Sequence, residues 1–220
     1  MTLHHILIIC LLISFSDKAF SQDKLFYNRL HYFTHQDCQH PIGTIIKDKV
    51  FMANHANNMS FMNFNNSEGD IALVELIHYG KYTAYNQFVK TDFLKAGVVS
   101  VGLRTGVESY ARSISKARSQ LRVDKVKDTA VDDVSLKHIR IEPKDTLVHR
   151  FDSYHLLINT KTKTEAPLYT EPSIYFLLQG QLPDLKGIVV QTYFVDLQGY
   201  IFCQDLLSGF EIINKRVIVK

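Results

Sequence analysis

The densest set of metal-ligating side chains in the chain is His31, His35, Cys38 and His40, within HYFTHQDCQH. Imidazole and thiolate together suit Zn2+ or copper, and histidines four apart share a face if the segment is helical. Their spacing matches no zinc signature with a defined geometry, so a metal centre is set against a surface histidine cluster beside a structural cysteine. A second candidate is an anion site formed by Arg104, Arg112 and Arg118. Arg118 falls on the apolar face of the helix expected there, where a charge must snorkel, pair or meet a ligand. Arg104 lies in Gly102-Leu103-Arg104-Thr105-Gly106, a turn that aims helix N-terminal amides outward. A solvated basic face is the plainer account of the same residues.

Nucleophilic chemistry has weaker support. There is no G-x-S-x-G elbow and no H-E-x-x-H. Cys203 acting with His155 or His149 is conceivable, although a cysteine in an apolar strand usually serves packing. Asp184, Asp196 and Asp205 open three Asp-Leu marks that end on Gly187, Gly199 and Gly209. They do not form a calcium ladder, because successive turns of a meander lie at opposite ends of the sheet and Ca2+ needs six to eight oxygens. They read as turns instead: aspartate bonds the backbone two residues on, and glycine supplies positive φ.

Residues 1–21 precede the fold. Ile6 to Ile13 is an apolar run too short to span a bilayer, and Ala19-Phe20-Ser21 has the small residues of a secretory cleavage site. The segment reads as a signal cleaved after Ser21, with a retained anchor as the other possibility, since no Lys or Arg precedes the apolar run. Cleavage removes Cys10 and leaves Cys38 and Cys203, an even count that suggests a disulfide in an oxidising compartment. A net charge of +3 is unaffected, because Asp17 and Lys18 leave together. That balance is too small to argue for nucleic acid or an anionic membrane.

The elements follow from periodicity. Asp23 to Phe33 suits a short helix or an edge strand. Thr44 to Met52 reads as a small hairpin around Lys47-Asp48-Lys49. The asparagine-rich Asn54 to Asp70 reads as a long loop that docks through Met59, Phe61, Met62 and Phe64, with sequons at Asn58 and Asn65. Ile71 to His78 and Val98 to Leu103 are strands, while Tyr82 to Val89 is ambiguous. One amphipathic helix is expected over about 107–122, with Thr105 and Glu108 as a capping box. Val123 to Val134 is a charged connection. Strands then follow to the end: Val134 to Ile141, Thr146 to Phe151, Tyr154 to Asn159, Ser173 to Leu178, and the meander from Asp184 to Ile213.

These readings define an α+β, β-rich fold: a mainly antiparallel sheet or sandwich with a C-terminal β-meander and one main helix, in a single domain over 22–220. The function expected is a secreted or periplasmic non-enzymatic binding or interaction module with a protein or small-ligand partner. A small secreted hydrolase built from scattered His, Ser and Asp, or a His/Cys metal-binding protein, are the rivals. No cofactor, no nucleic acid and no stable membrane span after cleavage are expected.

Overall fold

The computed structural model describes residues 23–36, 46–65, 69–103, 119–131, 134–145, 151–162 and 165–220. The first six strands are β1 (Lys24–Gln36), β2 (Ile46–Asn54), β3 (Asn57–Asn65), β4 (Ile71–His78), β5 (Tyr82–Val89) and β6 (Val98–Val101), with helix α1 (Lys90–Lys95) between the last two. They are followed by β7 (Leu121–Lys125), β8 (Thr129–Val131), β9 (Val134–Pro143), β10 (Ser153–Asn159), helix α2 (Pro172–Gln181), β11 (Ile188–Val195) and β12 (Ile201–Val219). Ten strands pair in the order β5-β4-β3-β2-β1-β12-β11-β10-β9-β7. Strand β6 runs parallel to the end of β12, and β8 pairs with β9. The fold is therefore α+β and β-rich, and β9 to β12 form the C-terminal meander.

Side chains alternate between two faces, and each face has its own core. The back face of the N-terminal half buries Tyr27, Leu30, Met52, Met62 and Leu76 with Val99 and Val217. The front face buries Phe33, Phe51, Phe61, Ile139, Leu156 and Ile158 under α2. Strand β1 keeps both Tyr27 and Leu30 on the back face because its register with β12 shifts between Tyr27 and Arg29. An uninterrupted strand would place residues three apart on opposite faces; a bulge restores the match.

Helix α1 closes the back core through buried Phe93. Buried Lys215 of β12 donates to the Phe93 carbonyl and, at 2.8 Å, to that of Ala96, so its ammonium caps the helix C-terminus. Burial lowers the Lys215 pKa. On the front, residues 165–171 strap the sheet ahead of α2. Arg29 pairs with Glu165 at 2.8 Å, His55 O accepts from Ala166 N, and Asn58 Nδ2 donates to Pro167 O at 2.7 Å. Tyr79 donates to the Tyr169 carbonyl and stacks on Tyr175 of α2 with centroids 3.9 Å apart.

Several expectations are corrected. Asp23 to Phe33 belongs to a central strand, paired with β2 and β12 on either side. Lys47-Asp48-Lys49 is no turn: it lies along β2, where opposing β1 residues hold it extended. Asn57–Asn65 is strand β3, since Phe61 packs forward while Met62 and Phe64 pack backward. Turn-forming asparagine chemistry appears at the hairpin, where Asn54 Oδ1 accepts from Ala56 N and Asn57 Oδ1 from Met59 N. Asn58 is buried and committed to Pro167, a position no glycan can occupy in this fold; the Asn65 side chain lies outside the described residues.

Tyr82 to Val89 is strand β5. Of the helix expected over 107–122, residues up to 118 lie outside the described ones and 119–120 are helical; Leu121 and Arg122 already belong to β7, paired with Pro143 and Glu142. The charged stretch after it contains β7 and β8 rather than a bare connection. Residues 146–150 of another expected strand are outside the described residues. Ser173 to Leu178 is helical because Pro172 presets the first turn and Ile174, Tyr175, Leu177 and Leu178 bury one side of it. The third Asp-Leu mark is not a turn either. Asp205 to Gly209 runs inside the 19-residue β12, with a register shift opposite Tyr32 and Phe33.

Candidate functional site

Beyond the part of the front face that α2 covers, β3, β4 and β5 present Asn63, Leu73, Glu75, Tyr85 and Gln87 around a hollow of about 200 Å³. Strand register creates it: Asn63 opposes Glu75, Glu75 opposes Tyr85, and Leu73 opposes Gln87, so these side chains share one face of neighbouring strands. Tyr85 donates its hydroxyl to Glu75 Oε1 at 2.7 Å, which fixes one wall. Leu73 and Tyr85 are nonetheless 42% and 50% exposed. The hollow thus pairs apolar contact surface with amide and carboxylate groups able to orient a ligand. None of these residues was singled out by the sequence, because Ile71 to His78 is apolar at six of its eight positions and shows no alternation that would set one face of β4 apart.

The candidates from the sequence fare differently. Because β1 is a strand, His31 and His35 stand about 13 Å apart along it rather than one helical turn. His35 Nδ1 meets Asp205 Oδ1 at 2.7 Å, and Lys49 Nζ lies 3.2 Å from the same oxygen. His31 instead packs between Phe33 and Phe210. Cys38 and His40 lie outside the described residues, among which no group of three His, Cys, Asp or Glu could hold a metal. Arg104, Arg112 and Arg118 lie outside them as well, as does His149.

Cys203 and His155 cannot act as a dyad. Cys203 opposes Phe194, whose ring meets Tyr154 on the front face; His155 follows Tyr154 and points to the back. His155 heads another line of contacts, in which Nε2 is 2.9 Å from Ser153 Oγ and Nδ1 is 2.7 Å from His138 Nε2. That connectivity resembles a hydrolytic relay, but its chemistry is unfavourable. Ser153 is only 2% exposed, and burial, His138 and Arg140 all lower the His155 pKa, leaving a sealed hydroxyl beside a weak base.

His31 gives a pH dependence. Burial, reinforced by Arg29 and opposed by Glu165, lowers its pKa to about 4. The unfolded chain takes up this proton near pH 6.5 and the native one near 4, so U binds more protons between them. Its contribution is complete above about pH 6.5 and is lost as pH falls toward 4. Urea midpoints measured across that window are expected to fall less steeply in His31→Phe than in the wild type; parallel profiles refute the assignment.

No protein family matches the chain, and no curated protein matches it. Solved structures resemble it at low identity. The MucA/MucB complex of Pseudomonas aeruginosa shares 8% identity with a TM-score of 0.35, over 84% of this chain and 51% of that one. An uncharacterized conserved protein from Thermus thermophilus shares 8% with a TM-score of 0.42, over 88% and 91%. A putative outer membrane lipoprotein-sorting protein domain from Vibrio parahaemolyticus shares 6% with a TM-score of 0.35, over 94% and 91%. The chain spans about half the length of the MucB chains it matches.

Proposed function

We propose that the chain is a non-enzymatic binding module of the periplasm or extracellular space, and that the hollow on β3 to β5 is its contact point. The observation that carries this reading is the exposed Leu73 and Tyr85 beside Asn63, Glu75 and Gln87. At about 200 Å³ the hollow is smaller than the roughly 300–1,000 Å³ of a drug-sized ligand site. It suits a single apolar or aromatic side chain, which favours a protein partner that inserts one anchor residue. Among the described residues no helix is long and apolar enough to cross a membrane.

Indole, a mimic of such an anchor, tests the site by NMR titration. Saturable shifts are expected at the amides of Leu73, Tyr85 and Gln87 and are expected to vanish in Leu73→Lys. Because Leu73 is well exposed, that variant should change stability by less than about 0.5 kcal/mol. Shifts that persist in the variant, or that cluster elsewhere, overturn the proposal.

The residue-22 start of the mature chain and a Cys38–Cys203 bridge belong to the same reading. Gln36 pairs directly with Gln204, so Cys38 follows that rung by two residues and Cys203 precedes it by one. Paired Cα atoms are about 5 Å apart and two residues of chain reach at most about 7 Å, so the rung permits a bridge without requiring one.

A further inference from the structure

On the back face of the meander, β9, β10 and β11 bring two imidazoles and a phenol to one point. His138 Nε2 and His155 Nδ1 are 2.7 Å apart, and the Tyr193 hydroxyl is 3.5 Å from the same His138 nitrogen. The Tyr193 ring lies parallel to that of His155, with centroids 4.5 Å apart and planes 4° from parallel. We propose that His138, His155 and Tyr193 form a binding site for a borderline divalent transition-metal ion, Zn2+ or Cu2+.

The hydrogen-bond chain behind His155 supports this assignment. Ser153 Oγ donates its single proton to Asp152 Oδ2 at 3.2 Å, so it accepts from His155. His155 therefore carries its proton on Nε2, and its Nδ1 presents a lone pair toward His138. Metal-ligating histidines donate their far ring N–H to a carboxylate, carbonyl or water, and here a hydroxyl backed by a carboxylate takes that place. Without metal, His138 must donate from Nε2 to that lone pair. With metal, His138 moves its proton to Nδ1 and both lone pairs face the ion.

The required movement is small. Two Zn–N bonds of about 2.05 Å at a tetrahedral angle set the nitrogens roughly 3.3 Å apart, about 0.6 Å more than the present contact. His138 is only partly buried and can supply that displacement. The Tyr193 oxygen is placed to give a third donor, its phenolic proton passing to solvent as the ion binds, and water completes a tetrahedron. The neighbouring cation, Arg140, is engaged by Glu142 and lies 3.7 Å from Asp124. Asp128 and Asp152 add negative charge near the two imidazoles.

Calorimetric titration of the full chain with Zn2+ tests the site. One ion is expected to bind per chain. His138→Phe should abolish this event, and Tyr193→Phe, which keeps the ring stack, should weaken it by about tenfold. Histidine side-chain 15N shifts in the wild type provide a readout that needs no variant, with the nitrogens of His138 and His155 moving as Zn2+ is added. Absence of saturable binding, identical binding in His138→Phe, or shifts confined to His35 and His40 overturns the proposal. None of these outcomes depends on the hollow at Leu73.

Discussion

Gly187→Ala is expected to lower stability by about 4 kcal/mol and the melting temperature by about 10 °C. Gly187 has φ +132, and a Cβ there would lie 2.5 Å from Asn159 O and 2.7 Å from Ile158 Cγ2. Backbone strain at such a φ costs about 1–3 kcal/mol, and overpacking a closed site adds a similar amount. Neither neighbour can yield cheaply, because Asn159 O is backbone in β10 and Ile158 is fully buried in the front core. Gly187 N also donates to Glu165 O at 2.8 Å, so displacing this turn disturbs the strap over β1. A melting shift of about 2–4 °C per kcal/mol is usual at this chain length.

Two other glycines separate the causes. Gly199 has φ +87 but nothing within 4 Å of an added Cβ, so its alanine variant should show strain alone, about 1 kcal/mol. Gly209 has neither positive φ nor a close neighbour and should tolerate alanine within about 0.5 kcal/mol. Equal losses in all three variants would defeat this explanation.

That series also marks how far turn chemistry was legible. The Asp196 mark behaves as its residues dictate: Oδ1 accepts from Gln198 N at 2.9 Å and Tyr200 N at 2.8 Å while Gly199 takes positive φ. The same letters at Asp205 to Gly209 make no turn. Asp205 is held by His35 and Lys49 from strands remote in sequence, and β1 pairs along the whole stretch. Local preference there yields to tertiary pairing, which no short window encodes.

Short apolar runs failed for a related reason. Ser173 to Leu178 has no period that separates a strand from a buried helix, and Pro172 at the first helical turn was the better signal. In β3, asparagine frequency concealed a two-sided core strand, though Phe61, Met62 and Phe64 already supplied both faces. The two candidate sites were illegible in a stronger sense. His138 lies 17 residues from His155 and 55 from Tyr193, and only the registers of β9 to β11 make them neighbours. Alternation of His138, Arg140 and Glu142 with Ile139 and Ile141 shows that these polar groups share a face. It does not show which strand lies beside them.

Reduction of the proposed Cys38–Cys203 bridge is expected to lower stability by about 2–5 kcal/mol, the upper figure being the chain-entropy value for so long a closed loop. The effect acts on the unfolded chain, whose ends the bridge holds together. In the native state β1 and β12 are paired as far as the Gln36–Gln204 rung. Intact mass under non-reducing conditions should match a chain beginning at residue 22 and lighter by two hydrogens than the dithiol. Cys203→Ser alone would confuse loss of the bridge with loss of packing, because Cys203 is buried beside Phe194. Cys38→Ser and the double variant separate the two. With a bridge, either single substitution removes the loop constraint, so Cys38→Ser should cost most of the total and the double variant little more than Cys203→Ser. Simple additivity of the two substitutions, or two titratable thiols in denatured, unreduced protein, would exclude the bridge.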